Sequence, residues 1–218
     1  MSKILSAVLA VCVLAGCSSA THPAKVDINK VVDVKSSFGP GYKVSDISER
    51  GIDPKLLAGR KLPDGLTFDP ANCAKVASGP DMPADLQGNM SAVTAEGRGN
   101  RFVVIALETS KALPLNDPGK DCNKVTFTGP QMRGGVQVVE VPQIESTRTL
   151  GVHRVMQALM PNGPRTGELY DYSAAFGDYQ VIVIANPLVV PDQPVAAVDT
   201  QRARDLLVKA VTAVRTSH

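Results

Sequence analysis

Two short segments in the C-terminal third carry side chains that could bind a ligand. Tyr170 and Tyr172 alternate along one predicted strand, so both rings and hydroxyls lie on one strand face. Such a pair suits the wall of a pocket for an amphipathic ligand, or a contact with another protein. Arg148, His153 and Arg154 would add polar anchors from a neighbouring strand. In the alternative interpretation, both tyrosines pack under the last helix as part of the core.

Residues suited to catalysis or metal binding are sparse. The sequence contains no Gly-x-Ser-x-Gly, no His-Glu-x-x-His, no phosphate-binding glycine-rich loop and no EF-hand loop. A hydrolytic triad or a Cys/His zinc site would depend on His153, because His22 lies near the N-terminus and His218 is the last residue. We therefore expect no enzyme, no metal site and no cofactor.

The N-terminal residues indicate a secreted, lipid-modified protein. Lys3 precedes a short apolar run, which is typical of a secretory signal peptide and too short to span a bilayer. The run ends in Leu14-Ala15-Gly16-Cys17, which resembles the lipobox of bacterial lipoproteins. In that family the cysteine thiol receives a diacylglycerol and becomes the first residue after cleavage. The alternative is an ordinary secreted protein cleaved nearby.

These features divide the chain into three parts. We predict a signal peptide over residues 1–16, a lipidated tether over residues 17–25 with the lipid on Cys17, and a single domain over residues 26–218. Acyl chains on Cys17 would hold the protein on the outer face of the cell membrane. The membrane is therefore one expected partner.

Two cysteines remain for a disulfide. Cys12 leaves with the signal peptide and Cys17 takes the lipid, so Cys73 and Cys122 are left in an oxidising compartment, where they should be bridged. A redox-active pair is the less favoured alternative, because the sequence has no Cys-x-x-Cys spacing.

The composition fits one globular domain and argues against nucleic acid as a partner. The chain has 218 residues, of which 44% are hydrophobic, and its 23 basic residues are balanced by 21 acidic ones. Binding to a phosphate backbone requires clustered excess positive charge, and base stacking requires aromatic side chains. The sequence offers little of either, since it has no Trp, four Tyr and five Phe.

The hydrophobic pattern predicts an α+β fold. A final helix should start near Asp199 and place one apolar stripe on a sheet. Residues 147–160 fit either a helix or a strand, and we favour a strand. Predicted strands cover residues 90–95, 102–109, 124–128, 136–141, 169–176 and 179–185. We therefore expect a mostly antiparallel sheet of about six strands with flanking helices, including a C-terminal helix packed on the sheet.

A family resemblance appears in the same C-terminal third. The runs at residues 148–154 and 170–179, with the last helix, resemble mycobacterial envelope lipoproteins of the LppI type and, more distantly, the extracellular sensor domain of the kinase PknH. The resemblance implies an α+β domain with a cleft for a ligand. This sequence has one usable cysteine pair where the kinase domain has two, and it has no kinase portion, so a signalling role is not transferred.

Together these observations predict a lipid-anchored cell-envelope protein that acts as a ligand-binding or protein-interaction module of a sensor-like kind. Its partners would be the membrane, through the lipid anchor, and a small ligand or an envelope protein. Two alternatives stay open: an envelope enzyme of unknown hydrolytic type, and the solute-binding protein of a transporter.

Overall fold

One antiparallel sheet organises the domain. The computed structural model describes residues 26–53, 57, 60–80, 83, 85–115, 118–191 and 193–215, so the predicted signal peptide, tether and Cys17 lie outside the described residues. The strands of the described chain are β1 (Tyr42–Gly51), β2 (Thr67–Asp69), β3 (Gly88–Gly97), β4 (Asn100–Thr109), β5 (Lys124–Thr128), β6 (Met132–Val139), β7 (Arg148–Met160), β8 (Gly163–Phe176) and β9 (Tyr179–Pro187). Across the sheet their order is β1-β3-β4-β9-β8-β7-β6-β5-β2.

The α+β class and the antiparallel sheet are confirmed, but the predicted number of strands is wrong. The described chain forms nine strands rather than about six. The strand prediction omitted β1, an edge strand whose side chains are mostly exposed after Tyr42 and Val44, and β2, which has only three residues. Residues 148–160 form a strand, as favoured above.

Short helical segments and one long helix accompany the sheet. They are 3-10 helices at Ile28–Ser37, Ala71–Cys73 and Lys120–Cys122, and α-helices at Ala74–Ala77 and Thr200–Arg215. In the first of these segments the buried residues Ile28, Val31 and Val34 recur every third position, which is the period of a 3-10 helix. None of the described helices is long and apolar enough to cross a membrane.

The sheet is covered on both faces. The C-terminal helix Thr200–Arg215 and the first 3-10 helix pack on one side, here called the helix face. The other side, the roof face, is covered by loop segments that include Leu57, Leu62 and Leu113. β4 and β9 are apolar on both sides and are the third and fourth strands of the sheet, covered on both faces, which explains their continuous hydrophobic runs.

The predicted disulfide is formed. Cys73 and Cys122 are bridged, with their Cα atoms 5.4 Å apart. The bond joins the segment before the helix Ala74–Ala77 to the turn before β5. It therefore ties two of the segments that cover the roof face.

Candidate functional site

The five predicted ligand-binding residues are divided between the two faces of the sheet. In the β7–β8 pairing, His153 lies opposite Tyr170 and Arg154 lies opposite Leu169. Because neighbouring residues of a strand point to opposite faces, His153, Tyr170 and Tyr172 lie on the helix face and Arg154 on the roof face. The idea that Arg154 anchors a ligand beside the two tyrosines is therefore wrong.

On the helix face, the two tyrosines have different environments. Tyr172 is fully buried and shares a core cluster with Leu206 and Leu207 of the C-terminal helix. Burial raises its pKa above the ordinary tyrosine value. Tyr170 is half-buried, and its ring stacks on that of His153 with the centroids 4.1 Å apart. Tyr172 is therefore a core residue under the last helix, as the alternative interpretation of the sequence has it.

The roof face contains a pocket with apolar walls. Its cavity volume is about 60 Å³, enough for a few water molecules. The loop and helix residues in its lining, which include Cys122 of the disulfide, are Val76, Ala77, Gly79, Pro80, Pro114, Leu115, Pro118 and Cys122. The apolar side chains contributed by the sheet are Val125, Val136, Val138, Leu150, Val152 and Leu169.

A buried ion pair stands against these apolar walls. Arg60 donates from Nε to Asp171 Oδ2 at 2.5 Å and from Nη2 to Asp171 Oδ1 at 3.2 Å. Ser173 donates its hydroxyl to Asp171 Oδ1 at 2.9 Å and accepts a bond from Arg60 Nη2 at 2.8 Å. Arg60 is 5% exposed and the Asp171 side chain 16%. Both carboxylate oxygens of Asp171 are therefore already engaged.

Two further polar groups of the pocket are not satisfied. Arg154 is 5% exposed, and its Nη2 donates to the backbone oxygen of Arg60 at 3.1 Å. Its Nε has no hydrogen-bond partner among the described residues, and neither does Oε1 of Gln180, which is 4% exposed. The pKa of Arg154 lies below the ordinary arginine value, mainly because burial disfavours the charged form. The charge of Asp171 opposes this shift, and the charge of Arg60 adds to it. The described part of the pocket thus holds two guanidinium groups and one carboxylate.

Arg148 lies outside this pocket, at an open groove next to it. The groove has a volume of about 580 Å³ and shares Leu115, Pro118, Val138 and Leu150 with the pocket lining. Arg148 and Lys120, both exposed, belong to the lining of the groove. Arg148 Nη2 donates to the backbone oxygen of Leu115 at 3.3 Å.

Sequence reasoning missed Arg60, Asp171, Ser173 and Gln180. Arg60 comes from a loop more than a hundred residues before β8, so no local pattern places it beside Asp171. One usable signal existed for Asp171. Its strand β8 pairs with β9, and the apolar residues on both sides of β9 indicate that both faces of the sheet are covered there. A polar residue on either face of the neighbouring β8 is therefore expected to be covered as well.

Metal binding has no support in the described geometry. Within residues 26–53, 57, 60–80, 83, 85–115, 118–191 and 193–215, no group of three or more His, Cys, Asp or Glu side chains could hold a metal ion. His153 Nε2 lies 3.1 Å from Glu168 Oε2, in a pair on the helix face.

Comparison with known proteins gives a family but no activity. No curated protein matches the chain. The crystal structure of an uncharacterized protein from Mycobacterium smegmatis, described as the Rv0999 ortholog, is 57% identical, has a TM-score of 0.84, and covers 89% of this chain and 100% of its own. The extracellular domain of PknH from Mycobacterium tuberculosis is 14% identical, with a TM-score of 0.42 over 88% of this chain and 93% of that one. A family model described as a domain of unknown function, DUF5642, matches residues 27–215. The chain therefore belongs to the DUF5642 family.

Proposed function

We propose that this protein is a lipid-anchored module on the outer face of the cell membrane that binds a small ligand in the roof-face pocket. The observation that carries the proposal is the pair of unsatisfied polar atoms in that pocket, Arg154 Nε and Gln180 Oε1. A buried donor or acceptor left without a partner costs about 1 to 3 kcal/mol, and more when it is charged. A bound ligand that accepts a hydrogen bond from Arg154 Nε would remove the cost of the charged group.

The composition of the pocket supports ligand binding. Small-molecule sites are concave, mostly apolar and equipped with a few converging polar groups. Here apolar side chains of β5 to β8 form the walls, and Arg60, Arg154 and Gln180 converge on the cavity. The disulfide holds the loops that border it.

Binding is favoured over catalysis by the state of the groups that could react. Asp171 is the only carboxylate among the described residues that line the pocket, and Arg60 and Ser173 occupy both of its oxygens. His153 lies on the opposite face of the sheet. A general base would need a free acceptor within reach of a substrate.

The anchor is proposed from the sequence. Leu14-Ala15-Gly16-Cys17 supports lipidation at Cys17, and the resemblance to LppI-type lipoproteins and a sensor-like role are parts of the same proposal. The membrane would then be a permanent partner, and an envelope protein could be a second one. Residues 17–25 would separate the lipid from the domain.

The ligand proposal is tested by filling the pocket. Val152→Phe puts a larger side chain into the cavity, whereas Val155→Phe changes the same residue type on the exposed helix face of the same strand. Native mass spectrometry of the protein isolated from its envelope should show a bound small molecule in the wild type and in Val155→Phe. It should be absent from Val152→Phe. An equal amount in both variants, or none in the wild type, would refute the proposal.

The anchor proposal has a separate test. Intact-mass analysis of the membrane-extracted protein should show an acylated chain that begins at Cys17, and Ser18→Ala should leave the acylation unchanged. Cys17→Ala should abolish both acylation and membrane attachment. Normal attachment of the Cys17→Ala variant would contradict lipidation at this residue.

A further inference from the structure

We infer that the ligand of the roof-face pocket is an amphipathic anion, with its oxyanionic head group at Arg154 and its apolar chain in the adjoining groove. This inference rests on the proposed function and names the ligand class for the same site. A carboxylate and a phosphate share the required chemistry.

The charge of the buried cluster favours an anion. Arg60 and Asp171 neutralise one another through two hydrogen bonds. Arg154 is 5% exposed and has no carboxylate partner of its own among the described residues. A guanidinium stays protonated in proteins, and a buried charge without a counter-charge is costly. An oxyanion beside Arg154 would balance this charge.

The free edge of Arg154 defines what can bind there. Its Nη2 donates to the backbone oxygen of Arg60, whereas its Nε–H has no acceptor among the described residues and can donate to a ligand. Arginine offers only donors, so its partner must be an acceptor, and carboxylate or phosphate oxygens make the strongest bonds with it.

The shape of the site argues for an apolar chain behind the head group. The inner cavity of about 60 Å³ has room for a head group but not for a larger molecule. The adjoining groove, of about 580 Å³, shares the apolar residues Leu115, Pro118, Val138 and Leu150 with the cavity, and these line the way from one to the other. At its border, Arg148 and Lys120 add positive charge. The cavity would therefore hold the charged head group of the ligand, and the groove its apolar chain.

The test compares probes that differ only in the head group. Octanoate, octyl phosphate, 1-octanol and inorganic phosphate are titrated calorimetrically into the full-length protein in lipid nanodiscs, with empty nanodiscs as the background. Octanoate or octyl phosphate should bind at least about tenfold more tightly than octanol. The stronger of the two identifies the head group as carboxylate or phosphate.

Variants locate the effect. Arg154→Gln should remove most of the preference for the anion, whereas Arg165→Gln should retain it, because Arg165 is an exposed arginine on the roof face of β8 that lines neither the cavity nor the groove. Should Arg154→Gln fail to fold, Arg154→Lys keeps the charge without the Nε edge and should weaken anion binding by about tenfold.

Three outcomes would overturn the inference. Equal affinity for octanol and the two anions would exclude an anionic head group, and inorganic phosphate binding as tightly as octyl phosphate would exclude the chain. A wild-type protein that binds none of the probes, but loses its native ligand in Val152→Phe, would refute this ligand class and leave the proposed function standing.

Discussion

Replacing Asp171 with leucine should destabilise the domain strongly, because it leaves the buried Arg60 without its carboxylate partner. In the native structure Asp171 accepts two bonds from Arg60 and one from Ser173. Arg60 belongs to the loop that covers the roof face, and its backbone oxygen accepts a bond from Arg154. The carboxylate therefore joins the roof to the sheet as well as balancing charge.

The expected magnitude follows from burial. Arg60 is 5% exposed and the Asp171 side chain 16%, so water can replace little of the lost interaction. Removing one partner of a buried ion pair costs about 3 to 5 kcal/mol. Removing both, in an Arg60→Met and Asp171→Leu double variant, takes away the unpaired charge as well. The double variant should therefore lose no more than about 1 kcal/mol, since buried pairs and apolar replacements are often similar in stability.

Urea unfolding of the wild type, both single variants and the double variant measures this coupling. An exposed pair provides the control: Lys35 and Asp46 are 2.9 Å apart, with side chains 45% and 35% exposed. The cycle of Lys35→Met and Asp46→Leu should give a coupling of at most about 1 kcal/mol.

Two results would refute this reasoning. One is a cost below about 1 kcal/mol for Asp171→Leu alone, which would mean that Arg60 finds water or another partner at no penalty. The other is a double variant whose loss of unfolding free energy equals the sum of the two single losses, because independent sites add and a coupled pair does not.

Other changes test the frame of the site. Cys73→Ser should lower the free energy of unfolding by about 2 to 5 kcal/mol, and reduction of the wild type should do the same in urea titrations; no effect of reduction would contradict this. Tyr172→Ala should cost about 3 to 5 kcal/mol, and Tyr170→Ala clearly less, in thermal melts. Burial raises the pKa of Tyr172, so its hydroxyl loses the proton at a lower pH in the unfolded chain than in the folded one. The free energy of unfolding should therefore fall as pH rises above about 10, and it should fall less in Tyr172→Phe. Gly134→Ala would place a Cβ 2.0 Å from a β7 backbone oxygen and should cost about 1 to 3 kcal/mol, whereas Gly167→Ala, which meets nothing within 4 Å, should leave the melting temperature nearly unchanged.

Much of the fold could be predicted because burial leaves a pattern in the sequence. A strand covered on both faces is apolar throughout, and a strand covered on one face alternates apolar and polar residues. The continuous apolar runs of β4 and β9 indicate central strands, and the stripe of the last helix indicates its docking face. β1 gives only a brief signal, because Tyr42, Val44 and Ile47 indicate an extended segment but the rest of the strand is polar, and the three residues of β2 give none. An edge strand is held by backbone hydrogen bonds, and its exposed side chains need no alternation of apolar and polar types.

The sheet faces of the candidate residues depend on the register of the β7–β8 hairpin. In the structure Met160 pairs with Gly163, so an even-numbered residue of β7 lies opposite an odd-numbered residue of β8. Arg154 therefore faces away from Tyr170 and Tyr172. The run Pro161-Asn162-Gly163-Pro164 indicates a turn but not its length, and a shift of one residue exchanges the two faces, so the sequence alone does not assign these side chains to a face.

The polar interior of the pocket is a different case, because it depends on contacts that only the tertiary structure brings together. Arg60 meets Asp171 across 111 positions of sequence, and the disulfide that borders the same cavity joins cysteines 49 positions apart. The loops around Arg60 and Cys122 have no periodicity that would orient a side chain. Once the disulfide fixes them over the sheet, the alternation of β7 and β8 directs Arg154, Asp171 and Ser173 toward them. Among the described residues that line the pocket, Asp171 is the one carboxylate, and both of its oxygens accept bonds from Arg60 of the roof. Arg154 of the sheet therefore keeps a guanidinium Nε without a hydrogen-bond acceptor among those residues.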